Sequence, residues 1–219
     1  MSLRPSGNQL WKKHVQIYTA IFRQALLALS KIQTLINENE QTISLRLSEL
    51  VQQKCFEYDK DLAYPIYEPL IMTKMGKKNK QRLQSGRPDF SCRLKNRYAQ
   101  SYAESELDFH IECKCLGIPS NPSWIFNKNY VNKGIMRFDL KDKRYGENVS
   151  DGMMIGYVTS MSPDDICKEI NAELIQTGRN FPPISFPPSP VLLRETTQQI
   201  KRIVIAPSDF TLIHLWVVF

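Results

Sequence analysis

The sequence predicts an α/β (α+β) fold: a mixed central β-sheet flanked by helices, with one long helix at the N-terminal end. Three features predict it. Apolar residues recur at helical spacing over residues 8–37, they alternate strictly over 106–115, and a short apolar run at 153–159 is followed by a capped helix start. In chain order the elements read helix, helix, strands, helix, strand, helix, strands, an order that calls for helices laid on a sheet. One core suits 219 residues. The expected division is a long helix at 1–37, used for packing or dimerisation, and a main domain at 38–219.

The first helix is read from Asn8 to Asn37. Trp11, Val15, Tyr18, Phe22, Ala25, Leu29, Ile32 and Ile36 recur at alternating steps of four and three, a heptad-like stripe widened by Ile21, Leu26 and Leu27. Such a stripe either packs the helix on its own domain, the reading favoured here, or forms a dimer seam. A second helix is read over Glu40–Phe56, with Ile43, Leu47, Leu50 and Val51 on one face. Pro65 and Pro69 break the pattern. Residues 73–87 are basic, contain Gly76 and Gly86, and read as a loop.

Two strands follow, at Pro88–Leu94 and Glu106–Cys115. In the second, Leu107, Phe109, Ile111, Cys113 and Cys115 alternate with Asp108, His110, Glu112 and Lys114. Gly117, Pro119 and Pro122 end it. A helix is expected at Asn129–Asp139 and a buried strand at Met153–Thr159. Ser162-Pro163-Asp164-Asp165 then supplies an N-cap, a proline at the first helical position and acids in the first turn. Ile166, Ile170 and Leu174 give that helix its buried face, and Gly178 can end it. The stretch 181–190, FPPISFPPSP, is a proline-rich connector. Two strand-like pieces, Arg202–Ile205 and Thr211–Phe219, close the chain.

Composition narrows the class. Apolar residues at 42% and charged residues at 23% are those of an ordinary globular protein. No apolar run approaches the roughly 20 residues needed to cross a bilayer, and the opening MSLRPSGNQLWKKH lacks the apolar core of a secretory signal. A cytoplasmic protein with no membrane partner is expected. The five cysteines, Cys55, Cys92, Cys113, Cys115 and Cys167, are odd in number and argue against a disulfide framework. Cys113-x-Cys115 would bind zinc only with a second pair or clustered histidines. His14, His110 and His214 lie far apart in sequence, so Cys113 is read as core.

The formal charge of +7 is concentrated. Lys74, Lys77, Lys78, Lys80, Arg82, Arg87, Arg93, Lys95 and Arg97 fall in one stretch whose only acid is Asp89. This is the footprint of a protein that binds phosphate backbones, although basic runs also occur as plain solvated loops.

The isolated acid gives the stretch its chemistry. Glu112 and Lys114 are two apart on a strand and project from the same face, while Ile111 and Cys113 face the core. A hairpin of this length returns Glu112 to the side of Asp89, so two carboxylates and an ammonium converge at a sheet edge. Carboxylates hold a hard divalent cation such as magnesium. Such a metal polarises a phosphodiester and activates water, and a lysine beside it orients or deprotonates that water and offsets developing charge. The plainer reading of Glu112 and Lys114 is an exposed strand face with an ion pair across it, which leaves Asp89 unexplained.

Arg87-Pro88-Asp89-Phe90 followed by Ile111-Glu112-Cys113-Lys114 resembles the PD-(D/E)XK signature of restriction-endonuclease-like nucleases. The resemblance spans roughly residues 38–160. It implies that residues 38–219 form a restriction-endonuclease-like domain, that Asp89 and Glu112 bind Mg2+ (with Mn2+ a possible substitute), and that Lys114 serves the attacking water. Asn39-Glu40-Gln41-Thr42-Ile43-Ser44 resembles an N-E-x-x-I-[S/T] helix start in some branches, which implies an accessory catalytic role for Glu40, with Glu38 and Glu49 as competitors. It further implies an endonuclease acting on DNA, in a bacterial defence, restriction or mobile-element setting.

Lys128, Lys133 and Arg137, near Tyr130, are candidate contacts to substrate phosphates. The alternative puts Tyr130 and Phe138 in the core and the cations in solvent. His110 and Asp108 share the catalytic face, with exposure at the strand edge the simpler reading, and His214 is read as structural. Two further readings are kept: a non-catalytic nucleic-acid-binding or assembly protein on the same fold, and an RNA-cleaving nuclease. A homodimer or a partner protein subunit is also compatible, since one such centre cuts one strand.

Overall fold

A computed structural model describes residues 7–69, 87–96, 99, 105–119, 125–187 and 192–219. Helices cover both faces of a six-stranded mixed sheet. The strands are β1 (Ile66–Tyr67), β2 (Phe90–Lys95), β3 (Glu106–Leu116), β4 (Asp151–Val158), β5 (Leu193–Lys201) and β6 (Asp209–Val218), in the spatial order β1-β2-β3-β4-β6-β5. β3, β4 and β6 run parallel, and β1, β2 and β5 pair antiparallel with their neighbours.

On one face lie α1 (Gly7–Leu29) and α2 (Glu40–Tyr58). The stripe residues Trp11, Val15, Tyr18, Phe22, Ala25 and Leu29 are buried in one cluster with Ile111 and Cys113 of β3 and Leu215 of β6. Trp11 Nε1 donates to Asp151 Oδ2 at 2.7 Å, and Arg23 forks onto Glu195. The stripe thus packs α1 on its own sheet. The helix ends earlier than the expected Asn37. The Ser30 hydroxyl donates to the Leu27 carbonyl, Ile32 leaves helical geometry at φ −95° and ψ 84°, and residues 33–37 form a 3-10 turn. Asn39 caps α2 by accepting from the Thr42 N–H at 2.9 Å, as the sequence indicates.

On the other face lie α3 (Phe126–Asn132) and α4 (Pro163–Gln176). Ser162 caps α4, Pro163 opens it, and Gly178 follows it at φ +67°. The single helix expected at 129–139 is two pieces, α3 and a 3-10 turn at Ile135–Asp139. Gly134 marks the break. A Cβ there would stand 2.3 Å from the Tyr130 carbonyl oxygen and 2.5 Å from Met154 Cε, so only glycine lets the chain turn this tightly against the end of α3.

Two further expectations are corrected. The penultimate strand is Leu193–Lys201, and residues 202–205 lie in the loop after it. That loop is held from inside: the buried Arg202 donates to the carbonyls of Tyr145, Gly146, Val149 and Pro207, and Asp139 Oδ1 accepts from the Ile203 and Val204 N–H groups. In addition, β3 lies inside the sheet, with β2 and β4 beside it, and helices cover both of its faces. His110, Glu112 and Lys114 are consequently buried, where the alternation suggested an exposed or edge position. His110 accepts the Gly146 N–H through Nδ1 at 3.0 Å. The connector is irregular over 181–187, where Phe181 and Ile184 are buried. No helix among the described residues is long and apolar enough to cross a membrane.

Candidate active site

Pairing between β2 and β3 ends at Phe90–Ile111. Pro88 offers no N–H to continue the ladder. One step beyond the last pair, Asp89 takes over: its Oδ2 accepts the Cys113 N–H at 2.6 Å, and its carbonyl accepts the Glu68 N–H at 2.8 Å. The register puts Asp89 beside Glu112, so the two carboxylates that the sequence placed on neighbouring strands do converge, within the sheet.

Lys114 is the hub. Its Nζ lies 2.8 Å from Glu112 Oε1 and 2.8 Å from Glu40 Oε1, and it donates to the Cys113 carbonyl at 2.5 Å. Three acceptors match the three protons of an ammonium. Glu40 comes from the first turn of α2, where the helix dipole favours a carboxylate. Its second oxygen accepts the Cys115 N–H at 3.1 Å, so one carboxylate ties α2 to β3. Glu38 and Glu49 do not line the cleft, and Glu49 pairs with Arg46 on the outer face of α2.

Arg137 completes the group. Its Nη1 lies 2.5 Å from Glu112 Oε1, 3.3 Å from the Tyr145 hydroxyl, and its guanidinium stands over the Tyr145 ring. Both ion pairs of Glu112 fall on Oε1. Oε2 is buried and has no hydrogen-bond partner among the described residues.

Burial and mutual repulsion set the proton affinities. Burial, then the charge of Glu112, pushes the Asp89 carboxyl up to about 8, against the pull of Lys114 and the Cys113 N–H. Burial also pushes Glu112 up, with Lys114 and Arg137 opposing. For Lys114 burial acts downward, but Glu112, Asp89 and Glu40 together outweigh it and hold the ammonium well above the usual lysine range.

A cleft of about 840 Å³ opens between the start of α2 and the α3 region, lined by Glu40, Asp89, Lys114, Lys133 and Arg137, with Tyr67, Ile125 and Phe126 as its apolar wall; Glu112 is buried behind this lining. Of the expected phosphate contacts, Lys133 and Arg137 line this cleft. Lys128 pairs with Glu173 at 3.7 Å, Arg93 pairs with Glu106 and Asp108, and Arg87 is exposed two residues before Asp89. Lys74, Lys77, Lys78, Lys80 and Arg82 lie outside the described residues. The sequence reading missed Tyr145 and the Arg137–Glu112 bond. The signal for the latter was Gly134, which re-aims the chain after α3. Tyr130 and His214 are core, as the simpler readings had them. Trp216 donates to the Tyr130 hydroxyl, which bonds His214 Nδ1, and His214 Nε2 meets Gln198. Cys113 is buried, in line with a core role.

Among the described residues no group of three or more His, Cys, Asp or Glu side chains is arranged to hold a metal ion; the acids next to each other here are Asp89 and Glu112. No family model matches this chain, and neither does any curated protein or solved structure.

Proposed function

We propose that this chain is a metal-dependent endonuclease of the restriction-endonuclease-like type, hydrolysing phosphodiester bonds of DNA with Asp89, Glu112, Lys114 and Glu40 as its centre. The observation that carries the reading is Lys114, a buried ammonium held between Glu112 and Glu40 beside Asp89, at the wall of an open cleft. A purely structural ion pair needs one acid and gains little from such burial. Buried carboxyls raised by burial and a like charge, set beside a cleft, are characteristic of working sites.

Magnesium suits the donor set. It commonly takes one or two protein carboxylates and completes its shell with water and substrate phosphate. Asp89 and Glu112 are such a pair, and the buried, partnerless Glu112 Oε2 is a ready oxygen ligand. When bound, the ion supplies Lewis-acid polarisation of the phosphate and a more acidic water.

The side chains divide the remaining work. Lys114 is held as an ammonium, so it orients water and offsets negative charge and is not the base. Glu40 fixes Lys114 from the far side. Lys133 and Arg137 meet substrate phosphates at the cleft, and Lys74, Lys77, Lys78, Lys80, Arg82 and Arg87 provide charge for the flanking backbone. In the hydrolysis a water oxygen bonds to phosphorus and one P–O ester bond breaks. Its electron pair stays on the leaving oxygen, which ends with one of the water protons.

Supercoiled plasmid incubated with Mg2+ tests this. The wild type nicks it, and Asp89→Ala and Lys114→Ala abolish nicking. Equal cleavage by both variants refutes the assignment. One observation favours the rival reading of a non-catalytic nucleic-acid-binding protein: Glu112 already has two cations on Oε1 without any metal. Calorimetry with Mn2+ separates the two, since a binding-only protein takes up no ion. Parallel assays on DNA and RNA of one sequence decide the sugar.

A further inference from the structure

We propose that Arg137 is a catalytic residue of this centre, holding a non-bridging oxygen of the scissile phosphate with one arm while its other arm anchors Glu112; the inference rests on the nuclease reading and deepens it.

The geometry of the Arg137–Glu112 contact is the argument. A guanidinium whose task is to neutralise a carboxylate meets it fork to fork, one nitrogen on each oxygen. Arg137 does not. It sets Nη1 on Oε1, the oxygen that Lys114 already serves at 2.8 Å, and leaves the buried Oε2 without a partner. Its own Nη2 and Nε–H groups have no hydrogen-bond partner among the described residues, and the residue lines the cleft. A second cation on an oxygen already paired adds little to the fold. Donors left over at the cleft wall are what a phosphate oxygen requires.

Position supports the same role. Arg137 comes from the 3-10 turn after the Gly134 break, between the buried Ile135 and Phe138. Tyr145 receives its Nη1 and lies under the guanidinium, restricting its swing. The group is thus preorganised next to the lysine and the two acids. In the hydrolysis it transfers no proton. It stabilises the charge that accumulates on the non-bridging oxygens as the water bonds to phosphorus and the leaving oxygen departs with its electron pair.

Arg137→Gln and Arg137→Lys are compared with wild type by plasmid cleavage in Mg2+, by Mn2+ calorimetry and by melting. The expected result is a fall in kcat of about 100- to 1,000-fold for Arg137→Gln with KM within about threefold. Arg137→Lys recovers part of kcat, and Mn2+ binds both variants at least as tightly as wild type, because a cation beside Glu112 has been removed or weakened. A higher KM at unchanged kcat reduces Arg137 to a backbone contact and overturns the inference, as does wild-type cleavage by Arg137→Gln. Loss of Mn2+ binding, or a collapse of melting temperature in both variants, assigns Arg137 to holding the fold and also overturns it. A wild-type protein that neither binds Mn2+ nor nicks plasmid shows instead that the nuclease reading failed, and this inference falls with it.

Discussion

Glu40 and Lys114 meet at 2.8 Å although one opens a helix and the other sits deep in the sheet, and the same carboxylate reaches on to the Cys115 N–H at 3.1 Å. α2 is thereby referenced to β3 at the level of the candidate centre. Asn39 makes the approach possible by capping the helix at its first turn, so that Glu40 leaves the helix axis toward the strand.

Glu40→Gln keeps the shape and removes the charge. Cleavage is expected to fall about 10- to 100-fold, the range seen when a group supporting a catalytic residue is altered. Glu38→Gln and Glu49→Gln leave it unchanged. Equal effects of all three substitutions in the plasmid assay would deny Glu40 its special place.

Asn39→Ala removes the side-chain acceptor for the Thr42 N–H. A loss of about 1 kcal/mol is expected from denaturant unfolding, together with a partial loss of cleavage through Glu40. An unchanged midpoint would show that water replaces the cap without cost.

The carboxyl of Asp89 ties metal uptake to pH. It is pushed up to about 8, so at neutral pH it must release a proton before it can accept a cation. Mn2+ affinity should rise about tenfold per pH unit below 8 and level off above it. Without metal the sign is reversed for stability. The folded protein keeps a proton that the unfolded chain, with its ordinary value of 3.8, gives up. Stability from this group is full below that value and is lost as pH rises toward 8. Asp89→Asn should flatten both trends, in calorimetry and in melting curves recorded across the window.

Gly134→Ala places a methyl against the Tyr130 carbonyl and Met154. Backbone cannot yield as a side chain can, so a cost of about 1–3 kcal/mol is expected. Cleavage should drop as well, because the Ile135–Asp139 turn that presents Arg137 must shift. Wild-type stability in chemical unfolding would mean that the turn can relax away from the Tyr130 carbonyl without cost.

How much of this was legible in the sequence follows from what each residue needs. Asp89, Glu112 and Lys114 could be brought together on paper because two-residue periodicity fixes which side chains share a face and Pro88 marks where a ladder stops. Their burial could not be read, because an alternating strand looks the same whether its polar face meets water or a second layer of helices. β5 was misplaced because LRETTQQIK has few apolar residues. It is an edge strand, and its pairing with β6 relies on the backbone. Arg137 was found as a cation but not as a partner of Glu112, since one glycine turns a continuous helical pattern into two pieces with different directions. Arg202 gave no signal: a buried guanidinium serving carbonyls from several loops is set entirely by tertiary structure.

The anchoring of α1 has a consequence for how the chain reaches this state. Trp11 is tied to Asp151 and Arg23 to Glu195, pairs 140 and 172 positions apart. α1 therefore waits for partners made 140 and 172 positions later in the chain, and loops of that span close slowly. Until they close, the surface of α1 that will face the sheet is open to neighbouring molecules. Refolding yield should consequently depend on dilution, with crowded preparations losing material to association before β5 and β6 have docked.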